Sequence, residues 1–171
     1  MQLIKIDKSI YKRHLNVISV ALVGALALLS VGFGSLLIAV FDAQQVTSES
    51  TGNFHLNVIG VISAAIVCSA VLFYLKTTPY FVEVYYVWRL KALHNRIYRR
   101  LKKVKQRVSE NDRDAIVVLF FYYHSLKQVY FLDNNTLTLP ELEVNIRNLQ
   151  QQIDSLDMHV DIDDFDSSFI K

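Results

Sequence analysis

The sequence predicts an all-α protein: a two-helix transmembrane hairpin, then a cytoplasmic three-helix, coiled-coil-like bundle and an acidic tail. Three observations lead there. Residues 16–41 and 56–75 carry no charge. Beyond them, apolar residues recur at alternating steps of three and four, as in helices with one buried seam. The chain has only two prolines and five glycines, with every glycine in or beside the uncharged stretches. Little else interrupts helical structure.

The uncharged stretches are "NVISVALVGALALLSVGFGSLLIAVF" and "LNVIGVISAAIVCSAVLFYL", 26 and 20 residues long. At about 1.5 Å per residue each reaches about 30 Å or more, the thickness of a hydrocarbon core. Transmembrane helices are therefore placed at 15–41 and 54–75, joined by a periplasmic loop at 42–53. The overall composition, 52% hydrophobic, exceeds the ~45–50% of a soluble domain. The first stretch is too long for the apolar region of a signal peptide, about 7–15 residues.

Charge assigns the sides. Lys5, Lys8, Lys12 and Arg13 precede the first span, and Lys76, Arg89, Lys91 and Arg96 follow the second. The connection carries only Asp42 and Glu49. Retained segments are rich in Lys and Arg and translocated ones lack them. The N-terminal segment 1–14 and everything after the second span are thus expected in the cytoplasm, which for a bacterial chain makes this a multi-pass inner-membrane protein.

Within the spans no ionisable residue marks an ion or proton path. Small residues line up instead: Ala27, Ser30 and Gly34 on the first, Gly60, Ala64 and Cys68 on the second. Such spacing lets helices approach closely, against each other or against a second copy. Cys68 is the sole cysteine, so it is read as a packing residue rather than half of a disulfide or metal pair.

The segment 76–156 forms the bundle. Thr78 and Pro79 suit a helix start, and one helix is expected from about Pro79 to Ser109. Its seam is Val87, Leu90, His94, Ile97, Leu101, Val104 and Val108. Arg89, Lys91, Arg96, Arg99, Arg100, Lys102, Lys103, Lys105 and Arg107 fall on the remaining arc, with no acid between residues 89 and 107. These nine are the candidate residues for binding an anion or partner. Asn111 or Asp112 can cap a second helix, about 112–132. Its run "AIVVLFFYY" is too short for a third span, and His124, Ser125, Lys127 and Gln128 follow at once.

Val117, Phe120 and Phe121 lie close to the polar face of that helix and are candidate oligomer contacts, expected to meet another chain or the third helix. Thr138 and Glu141 have the spacing of a capping box, opening a third helix with the seam Leu142, Ile146, Leu149, Ile153 and Leu156. The tail 157–171 is acidic and is expected to be solvated and mobile, hovering over Arg99–Arg107 as a loose counter-charge.

The stretches "LNVISVALVGALALLSVGFGSLLIAVF", "NFHLNVIGV", "PYFVEVYYVWRLKALHNRIYRRLKKV", "NDRDAIVVLFFYYHSLKQVYFLDNNT" and "LPELE" together resemble an uncharacterised family of proteobacterial two-span inner-membrane proteins. The resemblance covers nearly the whole chain up to the acidic tail. It is to a domain of unknown function, so it implies a location and carries over no catalytic residue.

No catalytic, cofactor or metal site is expected. His94, His124 and His159 form no ligand pair such as His-Glu-x-x-His, and no glycine-rich phosphate loop occurs. The expected function is non-enzymatic: an interaction, assembly or accessory subunit acting through the bundle, in a homo-oligomer or a larger membrane complex. One alternative is a membrane-surface or polyanion-binding module using the basic helix 89–107 against lipid head groups. Another is an oligomeric channel lined by Ser30, Ser35 and Ser63. Nucleic acid is disfavoured because no groove-reading motif is visible.

Overall fold

The computed structural model describes residues 2–41 and 53–170. Among them the structure is all-helical. Six α-helices run in order: α1 Lys8–Val40, α2 Phe54–Leu75, α3 Val82–Tyr98, α4 Leu101–Ser109, α5 Arg113–Asp133 and α6 Leu139–Ser155. Two short 3-10 turns, Ile162–Asp164 and Ser167–Phe169, follow. The periplasmic loop expected at 42–53 falls almost wholly outside the described residues. The chain divides into two compact units: Arg13–Val82, and the N-terminal residues through Lys12 together with the chain from Glu83 onward.

The first unit is a helical hairpin. Among the described residues three helices are long and apolar enough to cross a membrane, Lys8–Val40, Phe54–Leu75 and Arg113–Asp133. The first two are buried over only 6% and 17% of their most apolar windows, the third over 61%. The apolar side chains of α1 and α2 therefore face outward, as with Val20, Leu28, Ile66 and Phe73. What the hairpin does bury is one stripe of α2, Leu56, Gly60, Ala64 and Cys68, together with Gly34 of α1. A Cβ added to Gly60 would stand 2.7 Å from the Gly34 nitrogen and 3.1 Å from the Ser30 carbonyl oxygen. The two backbones touch there, and only glycine leaves the room.

The larger unit is built on α5. Asp112 caps it, its carboxylate accepting from the backbone N–H groups of Asp114 (2.9 Å) and Ala115 (3.3 Å). Arg107 holds the other carboxylate oxygen, Nη2 at 2.7 Å, and its hydrogen bond is the main reason the Asp112 carboxyl lies below the usual range. Asn134 ends α5 in the left-handed region, φ 60°, where asparagine is tolerated. Helices α4 and α6 and both 3-10 turns pack on α5. On its long seam Val87, Leu90, His94, Ile97, Val104 and Val108 are all buried, while Leu101 is half-buried.

Four expectations need correcting. The helix expected from Pro79 to Ser109 starts at Val82 and breaks at Arg99–Arg100. No Gly or Pro causes the break. The backbone tightens there, Arg100 N–H bonding to the Ile97 carbonyl at 2.9 Å, and the Arg100 guanidinium reaches the Ile170 carbonyl at 2.8 Å. Thr138 makes no side-chain capping bond, so the capping box with Glu141 is absent and Pro140 supplies the start of α6.

The tail is packed rather than loose. Phe165 and Ile170 are buried, and Met158, Val160, Ile162 and Phe169 pack against the same core. Finally, Val117 and Phe121 are fully buried within this chain and Phe120 is partly buried against the core. The Phe121 ring stacks on Phe165 at 3.9 Å and 12°. The Phe121 part of the surface assigned to an oligomer partner is therefore covered by the chain's own tail.

The N-terminal segment also contributes to the larger unit. Ile4 N–H donates to the Tyr86 hydroxyl (3.1 Å), and its carbonyl accepts from Gln128 Nε2 (2.6 Å). Asp7 caps α1 through the backbone N–H groups of Ser9 and Ile10. The Lys8 ammonium sits 4.2 Å from the Phe131 ring centre.

Candidate functional site

The nine cations between Arg89 and Arg107 share a helical face opposite the seam, but the structure gives them different partners. Lys91 pairs with Asp133 at 2.7 Å. Arg107 binds Asp112 and also donates to the Phe169 carbonyl at 3.3 Å. Arg100 holds the Ile170 carbonyl. These three hold the fold together. Arg99, Lys102, Lys103 and Lys105 are exposed, and no ion pair with a described residue engages them. They form a compact basic arc on α4 and the break before it. Arg89 and Arg96 are exposed as well, further back on α3, where they border a cleft with Tyr86 and Leu93.

The tail acids do not neutralise the arc through side chains. Asp164 pairs with Arg113 at 3.1 Å, while Asp161 and Asp166 cap the two 3-10 turns. The loose counter-charge expected over Arg99–Arg107 is replaced by backbone carbonyls held by Arg100 and Arg107.

One buried pair has the outline of catalytic chemistry. His94 Nε2 lies 2.7 Å from Ser125 Oγ, and that hydroxyl also donates to the Tyr122 carbonyl at 3.1 Å. The imidazole tautomer sets which of the two groups donates in the His94–Ser125 bond. Both residues are buried, at 7% and 0% exposure, and neither lines the cleft on α3. Burial, helped by Lys91, pulls the His94 pKa down to about 4. Both buried polar groups find partners, and the pair is a satisfied polar link from α3 to α5. His124 is also shifted down, by burial first and by Lys127. Among the described residues no group of three or more His, Cys, Asp or Glu is placed to hold a metal.

The small residues assigned to span packing fall unevenly. Gly34, Gly60, Ala64 and Cys68 lie in the hairpin contact, Ser30 is half-buried beside it, and Ala27 is exposed. Sequence reasoning did not reach the N-terminal strap through Ile4 or the tail lid through Phe165. The apolar residues alternating with acids in "HVDIDDF" were the available signal.

A family model described as a protein of unknown function, DUF3087, matches residues 1–170. The chain belongs to this uncharacterised family. No curated protein and no solved structure matches it. Membership assigns no activity, so the free cations of α3 and α4 carry the functional argument.

Proposed function

We propose that the protein is a non-enzymatic, two-span inner-membrane protein of proteobacterial type. Both termini lie in the cytoplasm, and its larger unit is a helical bundle that docks an acidic surface of a partner protein. It acts as an accessory or assembly subunit of a membrane complex. The outward-facing apolar side chains of α1 and α2 support the spans, and the distribution of Lys and Arg supports the orientation. One observation carries the docking role: Arg99, Lys102, Lys103 and Lys105 are exposed and have no ion pair with a described residue, while Lys91, Arg100 and Arg107 are engaged within the fold. A complementary acidic surface would be steered to such an arc.

Photocrosslinkers placed at residues 102, 103 and 105 in intact membranes should capture a discrete acidic partner. The variant Lys102→Glu/Lys103→Glu/Lys105→Glu should lose it on extraction. An unchanged set of co-purifying proteins would end the proposal.

A second reading has the same arc meeting anionic lipid head groups, favoured by Tyr98, an exposed aromatic beside Arg99, since aromatics are frequent at membrane interfaces. Liposome binding lost in the same variant, with no crosslinked protein, would select it. A serine-lined channel gains no support. The Ser30 hydroxyl donates to the Leu26 carbonyl of its own helix at 2.6 Å, and its backbone abuts Gly60.

A further inference from the structure

A cleft of about 570 Å³ lies within the larger unit, inside the range of about 300–1,000 Å³ typical of small-molecule sites. Its wall is α3, from which Arg89, Leu93 and Arg96 line it. Arg89 and Arg96 are seven residues apart, about 10 Å along one helix face, with Leu93 between them. Phe165 of the tail supplies a second apolar surface and Ser167 a hydroxyl. No carboxylate is among the described residues that line the cleft. The nearest acid in sequence, Asp166, has its carboxylate on the Ser168 N–H at 2.7 Å.

Residues that line the cleft are fastened to one another and to the core. The Tyr86 hydroxyl accepts from Ile4 N–H and donates to the Gln2 carbonyl at 3.2 Å. Phe165 is pinned by its stack on Phe121. The site is thus formed before any ligand arrives, and ordering cost is largely avoided.

Two guanidinium groups with no acid beside them, next to two apolar side chains, define a ligand chemistry. A guanidinium fork matches phosphate oxygens bidentately. A phosphate monoester carries about 1.5–2 negative charges at neutral pH, enough to engage both arginines. We propose that this cleft binds a phosphate monoester with a compact apolar or aromatic body, its phosphate held by Arg89 and Arg96 and its body resting on Leu93 and Phe165. The site is separate from the arc on α4, so either assignment can fail without the other.

The test uses the full chain in phosphatidylcholine nanodiscs, with radiolabelled phenyl phosphate in equilibrium dialysis. Saturable binding is expected. Arg89→Gln/Arg96→Gln should weaken it at least about 10-fold. Lys102→Gln/Lys103→Gln/Lys105→Gln removes more charge and should change it by no more than about twofold, because exposed charges at that distance are screened. Ser167→Phe leaves both arginines in place and fills the cleft; it should abolish binding without altering thermal melting. Repeating the titration in discs doped with phosphatidic acid separates the sources. A weaker apparent affinity identifies a lipid head group as the competing natural occupant, and an unchanged curve identifies a soluble monoester. Absence of saturable binding, or an equal loss in the Lys triple variant and the Arg double variant, would overturn the proposal.

Discussion

At the scale of single residues, His94 shows how a seam position can hold a polar group. It occupies an apolar place in the heptad, and its cost is met by Ser125, which is itself tied to the Tyr122 carbonyl. The consequence is a pH dependence with a definite sign. Above pH 6.5 the imidazole is neutral in both folded and unfolded chains. As pH falls below 6.5 the unfolded chain binds a proton that the folded one refuses until about pH 4. Stability should therefore fall across that window, by about 3 kcal/mol from this group. Urea unfolding of the detergent-solubilised protein at pH 7 and pH 4 should show this loss, and His94→Leu should remove most of it. Equal pH slopes in the two proteins would mean that His94 is not the group responsible.

The contact between Gly60 and Gly34 is as local as His94 but purely steric. Gly60→Ala puts a methyl group on backbone atoms that cannot yield. Overpacking of this kind costs about 1–3 kcal/mol. Gly34→Ala meets only the end of the Asn57 side chain, at 2.8 Å, and should cost less. Gly24→Ala and Gly32→Ala face open space and should be neutral. Resistance of the purified hairpin region to SDS unfolding should rank the four variants in that order.

At the scale of elements, the tail decides the stability of α5. Phe165→Ala removes a ring that is only 5% exposed and stacked on Phe121. It should destabilise the larger unit by about 3 kcal/mol, as core Phe→Ala changes do. Deleting residues 157–171 should cost more, since Ile170 and the carbonyls held by Arg100 and Arg107 go with it. Thermal melting checks both; an unchanged midpoint for the deletion would mean that the tail is merely laid on the surface.

This is where sequence reading was least informative. The seams of α3, α4 and α6 were legible because a period of three and four survives the break at Arg100. The cap of α5 was legible as Asn111 or Asp112, and the structure uses Asp112. The tail was not. Five acids between Asp157 and Asp166 dominate its composition, while the apolar residues among them follow no helical period. Val117 and Phe121 stand out in the sequence as apolar residues close to a polar face, but whether a partner or the chain itself covers such a face is a long-range matter that local pattern does not encode.

At the scale of the whole molecule, orientation rests on charge alone and is open to a direct check. With Cys68 replaced, a cysteine at Ser48 should react with an impermeant thiol reagent in intact cells, and one at Ser109 should not. Labelling at Ser109 would place the basic arc and the cleft outside the cytoplasm and remove both as sites for cytoplasmic ligands.

The lid on α5 has one more consequence, and it concerns time. Phe165 is made 44 residues after Phe121, so at about 5–20 residues per second the nascent helix waits about 2–9 seconds for the ring that covers it. During that interval α5 is a 21-residue helix apolar enough to enter a bilayer, emerging just after two helices with the same property. Arg113 and Asp114 at its start, and His124, Lys127 and Gln128 beyond its apolar run, make insertion expensive while the lid is missing. Replacing Arg113, Asp114 and Lys127 together with Leu should therefore raise the fraction of newly made chains whose α5 is inserted in the bilayer, and an unchanged fraction in a glycosylation-tag insertion assay would show that these residues play no such part.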